Sequence, residues 1–216
     1  MVMAGCSTSE GVGSDTSTTT VTTAEPAPQS AITTPPWLAE VQASPAPAGL
    51  GEGWAPVVGG RTLLAGFGEV AATITASDGT VCDVCLLAAI TPEQHARGLM
   101  FVTDPALGGY DGMLFAFDSD SGGGFWMRNT RLALSIAYFD ADGVLVSHAD
   151  MQPCADSAPD CPGYPADGSF RYAIEVPLGR LDEVGVVGVD GGPAGPRDAV
   201  LRLTGAPCPE IEPAEG

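Results

Sequence analysis

The dipeptide Asp-Gly, set twice between short runs of β-branched and apolar residues, constrains this chain more than any other feature. Val70 to Ala76 and Val81 to Ala88 are separated only by Ser77-Asp78-Gly79-Thr80. Leu134 to Asp140 and Val144 to His148 repeat the arrangement around Asp140-Ala141-Asp142-Gly143. Asp-Gly tolerates the left-handed backbone of a tight turn, so each pair predicts an antiparallel hairpin. Met113 to Phe117, Phe125 to Arg128, Arg171 to Val176 and Val200 to Leu203 read as further short strands. One helix interrupts them. Thr91 can cap it, Pro92 suits its first position, and Gln94 can reach back as a capping box. The helix therefore covers Pro92 to Arg97, and Gly98 stops it. The expected fold is mostly β (α+β), a compact single-domain β-barrel or sandwich with one short helix at 92–97.

Charge narrows the partners. Twenty-seven acids oppose eight basic residues, a net charge of −19, and every basic residue is an arginine. Nucleic acid is not an expected partner, because phosphate binding needs clustered cations.

Six cysteines suggest an oxidising compartment. Cys154 and Cys161 flank a short Pro-rich loop, and a disulfide there would pin a segment that no secondary structure holds. Cys82, Cys85 and Cys208 form an odd set. On a strand, Cys82 and Cys85 point to opposite faces and cannot bond each other. One of the two can pair with Cys208, leaving one buried thiol. The Cys-x-x-Cys spacing lacks the helix N-terminus that activates redox pairs of this kind.

Small residues before Cys6 resemble the cleavage box of a bacterial lipoprotein signal, although the charged start and apolar stretch are absent. Residues 7–56 are rich in Ser, Thr, Ala, Pro and Gly and cannot bury enough surface to fold. This predicts a lipid anchor on Cys6 and a tether over residues 1–60. The folded domain would occupy 61–208 and an acidic tail 209–216, with residues 192–197 forming a surface loop. The expected location is extracytoplasmic, either lipid-anchored or secreted. Contact with a membrane would come only through the lipid, since no apolar run is long enough to span one.

Three motifs carry a family resemblance: Arg97-Gly98-Leu99-Met100, Asp111-Gly112-Met113-Leu114-Phe115, and Phe125-Trp126-Met127-Arg128-Asn129-Thr130. Asp142-Gly143, Met151-Gln152-Pro153, Ala173-Ile174-Glu175 and Gly179 continue the pattern. From Val70 to Leu203 the chain resembles domain of unknown function 192. The resemblance implies a small β-rich domain, often exported, and brings no established activity. Ser135 departs from the pattern, because that family usually has an aspartate there.

Function must then be argued from side chains. Arg97, Trp126, Arg128, Thr130 and Glu175 are the candidate ligand face. Trp126 would give an apolar wall and the arginines planar forks for a carboxylate or phosphate. The competing reading is structural: a buried arginine needs a partner, and Glu175 could supply it. Met100, Met127, His148 and Met151 form a weaker alternative, a thioether copper site, against which stands their value as core filler. A hydrolase pairing Glu175 with Asp111, Asp140 or Asp142 is a third possibility. His95 reads as a solvated helix residue, and His148 as an ordinary strand residue. No nucleophile elbow or phosphate-cradling loop is present. The expected role is therefore non-enzymatic, with no cofactor and no resident metal: binding a small anionic ligand or a cell-envelope partner.

Overall fold

The first Asp-Gly pair forms the hairpin expected of it. In the computed structural model, β4 (Gly68–Ala76) runs antiparallel to β5 (Thr80–Ala89), with Asp78 accepting from the Thr80 N–H in the turn. The structure describes residues 5–8, 54–155, 157–186, 198–206 and 208–211. The other strands are β1 (Gly5–Thr8), β2 (Trp54–Val58), β3 (Arg61–Leu64), β6 (Gly112–Ser121), β7 (Gly124–Trp126), β8 (Leu134–Phe139) and β9 (Leu145–Met151). After them come β10 (Gly163–Pro165), β11 (Phe170–Pro177) and β12 (Ala199–Leu203).

One eight-stranded sheet holds most of them, in the order β12-β4-β5-β6-β11-β8-β9, with β1 on β5. β5 has divided partners. Its first half pairs antiparallel with β1, and its last four residues pair parallel with β6. Both faces of the sheet are covered, so β5 is apolar almost throughout rather than alternating. One face gathers Ile74, Leu86, Leu114, Phe139, Ile174 and Leu201. The other gathers Leu87, Phe115, Tyr138, Phe170 and the buried methionines Met113, Met127 and Met151. Just before β9 the chain touches β12 at an isolated bridge, Val144–Val200, and through the Leu201 N–H donating to the Gly143 carbonyl. Among the described residues β9 and β12 form no ladder, so the sheet curls without closing into a barrel. The mostly-β, sandwich-like class stands.

The one α-helix among the described residues, α1 (Pro92–Arg97), carries the capping box read from sequence, with Thr91 accepting from the Gln94 N–H and Gln94 accepting in return. Gly98 ends it at φ 45°, where an added Cβ would come within 3.2 Å of Phe115. His95 is not a solvated residue. Its ring packs 4.4 Å from that of Phe117, and Nε2 bridges the Ala89 and Ala116 carbonyls at 3.1 and 3.0 Å. It pins α1 across the parallel junction of β5 and β6. Desolvation there pulls its pKa below the ordinary value.

Several expectations need correction. Residues 5–8 and 54–58 lie in strands, so parts of the expected tether are structured; residues 9–53 lie outside the described residues. Tail residues 209–211 are also tied down, since Arg61 donates to the Pro209 carbonyl and the Ile211 N–H donates to Gly59. No cysteine is free. Cys85 pairs with Cys208, and Cys154 with Cys161, while Cys82 pairs with Cys6 instead of remaining a thiol. A disulfide and a lipid thioether are alternative fates of the Cys6 sulfur, and the structure holds the disulfide. Residues 192–197 lie outside the described residues. Among the described residues, no helix is long and apolar enough to cross a membrane.

Candidate functional site

The strand expected over Phe125 to Arg128 stops at Trp126, and the chain then turns. Alternation still governs the turn, with Trp126 outward, Met127 fully buried and Arg128 half-buried. The Thr130 N–H and then the Cys154 N–H donate to the Met127 carbonyl, at 3.1 and 3.3 Å. The disulfide-closed loop 154–161 is thereby docked against the same turn. Thr130 is buried and closes the turn, its hydroxyl donating to the Arg128 carbonyl at 3.5 Å.

Two residues here hold a backbone that side chains other than glycine's rarely adopt. Asn129 sits at φ 60° and Phe101 at φ 63°. They are joined directly, the Phe101 N–H donating to the Asn129 carbonyl at 2.9 Å, while the Asn129 amide meets the Met100 sulfur. A left-handed aromatic residue costs of order 1–3 kcal/mol, and such strain collects at functional sites. Two large aromatics stand outside beside this junction, Phe101 62% and Trp126 55% exposed. Each carries a guanidinium over its ring: Arg128 at 5.7 Å from the Trp126 centroid and Arg131 at 5.7 Å from that of Phe101. Two cation–π pairs thus flank one backbone junction of a strongly acidic protein.

The five sequence candidates do not form one cluster. Arg97 turns away to donate to the Ala65 carbonyl at 2.7 Å, its guanidinium over Phe67. Glu175 lies buried on β11, opposite Met113 and Ile136 in the neighbouring strands. No guanidinium offsets its charge, and burial alone pushes its carboxyl up to about 8. The Glu175–arginine ion pair weighed from sequence is absent among the described residues, and the core accommodates a protonated acid instead. Trp126 and Arg128 remain together. Phe101 and Arg131 were missed, because their contact depends on a tertiary join between the 98–101 loop and the 127–130 turn.

The alternatives fare less well. The β8–β9 register sets His148 opposite Ala137 and Met151 opposite Leu134, on different faces, so one metal cannot take both. The buried methionines pack as core. Among the acids offered as partners of Glu175, Asp111 accepts from the Cys85 N–H and Asp140 closes its own turn. Ser135, where the family usually has aspartate, donates to Asp150 at 2.6 Å and accepts from the Gly179 N–H.

These features define a mostly-β domain with two exposed aromatic–arginine pairs. The chain belongs to domain of unknown function 192 (DUF192), described as an uncharacterized ACR family, whose profile matches residues 73–190. No curated protein matches it. A crystal structure from Sinorhizobium meliloti 1021, of a protein provisionally described as a transcription regulator, is 20% identical to it. The alignment covers 65% of this chain and 97% of that one, with a TM-score of 0.49. A protein of unknown function from Novosphingobium aromaticivorans DSM 12444 is 24% identical, over 75% of this chain and 95% of that one, with a TM-score of 0.47.

Proposed function

We propose that this is an extracytoplasmic binding domain whose Trp126–Arg128 and Phe101–Arg131 pairs take a small anionic ligand or an acidic group of an envelope partner. The observation that carries this reading is the pair of exposed aromatics, Trp126 and Phe101, each with a guanidinium over its ring. Aromatic faces beside guanidinium forks suit ligands with an apolar face and a carboxylate or phosphate edge. Three disulfides that use all six cysteines favour an oxidising compartment.

Thermal unfolding in the presence of acidic oligosaccharides and acidic peptides tests the reading. A bound ligand raises the midpoint as its concentration passes its dissociation constant. The rise should disappear in Arg128→Ala and in Trp126→Ala, which alter a half-buried and an exposed side chain outside the buried core. A rise that persists unchanged in both variants would sink the proposal.

A further inference from the structure

We propose that Cys85, Cys208 and Glu69 form a thiolate–carboxylate site for a divalent d¹⁰ cation of the zinc type, available when the Cys85–Cys208 disulfide is open. The β4–β5 register sets Glu69 opposite Leu87 and Ala71 opposite Cys85, so Glu69 lies diagonally across from Cys85 on one face of the sheet. One carboxylate oxygen and the two sulfurs lie within 4.8 Å of one another. Ligand atoms around tetrahedral zinc are about 3.5–3.8 Å apart. The opened sulfurs therefore need only a small separation to reach that spacing, and a Cα–Cα distance of 5.5 Å allows it.

Two further features suit a ligand set rather than a simple staple. The Tyr110 hydroxyl donates to Glu69 Oε2 at 2.7 Å, which orients the carboxylate as an outer partner orients a metal ligand. The strap that carries Cys208 is also held independently of the disulfide. Buried Arg61 donates to the Pro209 carbonyl at 2.6 Å and to the Gly109 carbonyl at 3.2 Å, and the Ile211 N–H donates to Gly59. Opening the bond would leave Cys208 beside Cys85.

The chemistry balances with a dithiol as reductant. The dithiol gives two electrons and two protons to the Cys85–Cys208 bond and becomes a disulfide itself. The cation then displaces both thiol protons and gains two thiolates and the Glu69 carboxylate, with water in the fourth position. A small-molecule disulfide reverses the sequence by thiol–disulfide exchange: it takes up the two electrons and becomes a dithiol, the Cys85–Cys208 bond re-forms, and the metal is released.

The test uses the full chain, reduced with a phosphine that does not bind the metal, and titrated with Co²⁺ and then Zn²⁺. The expected result is one equivalent of cobalt with thiolate-to-cobalt absorption in the near ultraviolet, displaced by zinc. Reduction also frees the other cysteines, so Cys154→Ser/Cys161→Ser and Cys6→Ser serve as controls that should keep the band. Cys208→Ser should lose it. Glu69→Gln retains an acceptor for Tyr110 and should weaken cobalt affinity at least about tenfold. Zinc should also raise the unfolding midpoint of the reduced wild-type chain, and should refold it if reduction has unfolded it. The proposal is overturned by no band in the reduced chain, by a band that survives Cys208→Ser, by unchanged affinity in Glu69→Gln, or by no effect of zinc on unfolding.

Discussion

Glu175 is a carboxyl group buried without a guanidinium to offset its charge among the described residues, and burial favours its protonated form. Its folded pKa, about 8, is raised above the ordinary value of 4.5. Below the lower value both folded and unfolded states are protonated and burial carries no ionic penalty. Between the two, the unfolded chain ionises while the folded chain does not, so stability falls as pH rises and levels off above the folded pKa. From about pH 5 to about pH 8 the loss should approach roughly 4 kcal/mol, at about 1.4 kcal/mol per unit. Urea titrations across that range should show the slope in wild type and its disappearance in Glu175→Gln. His95 works in the opposite sense. Its pKa is lowered by burial, so its contribution is present above the ordinary value of 6.5 and fades as pH falls below it. His95→Gln should remove that acid-side loss and speed hydrogen exchange across residues 92–97. Neither fate was legible in the sequence, which marks a residue as ionisable but not the desolvation that decides its proton.

Among elements, α1 was the most legible, because its signals are local. Thr91, Pro92, Gln94 and Gly98 each act within one turn, and no tertiary partner is needed to read them. Thr91→Ala should cost about 1 kcal/mol in chemical denaturation by removing one half of the capping box. The two Asp-Gly hairpins were legible for the same reason. Gly112 was not, since its role appears only when β6 meets β11. An added Cβ there would collide with the Glu175 backbone carbonyl and crowd Val176 at 3.0 Å. Gly112→Ala should destabilise the domain by about 1–3 kcal/mol, read as a lower urea midpoint. β1 escaped notice because Gly-Cys-Ser-Thr has no apolar pattern to betray it. Of the candidate site, the Trp126–Arg128 pairing could be read from alternation. The left-handed phenylalanine beside it could not, because nothing in a Leu-Met-Phe-Val stretch signals positive φ.

At the scale of the whole molecule, the disulfides divide the work unequally. Cys6–Cys82 and Cys85–Cys208 close spans of 76 and 123 residues, whereas Cys154–Cys161 closes one of 7. Loop-closure entropy assigns each long closure about 4–5 kcal/mol and the short one about 2 kcal/mol. Replacing Cys208 with serine should therefore lower the thermal midpoint distinctly more than replacing Cys161. Family membership and the mostly-β class were readable because the motifs span most of the folded part. The pairing of Cys6 with Cys82 was not, since 76 positions separate the partners and composition argued for a tether between them.

The divided edge of β5 has a consequence for anyone who trims this protein. β6 reaches only the last four residues of that strand, and β1 alone covers Thr80 to Asp83. A version beginning at Arg61 keeps almost the whole sheet but uncovers a row of unpaired peptide groups and frees the Cys82 thiol beneath them. Exposed edges of that kind recruit strands from other molecules. Sedimentation of the trimmed protein should reveal concentration-dependent self-association that the intact chain lacks. Four residues near the N-terminus thus act as a guard against the molecule's own copies.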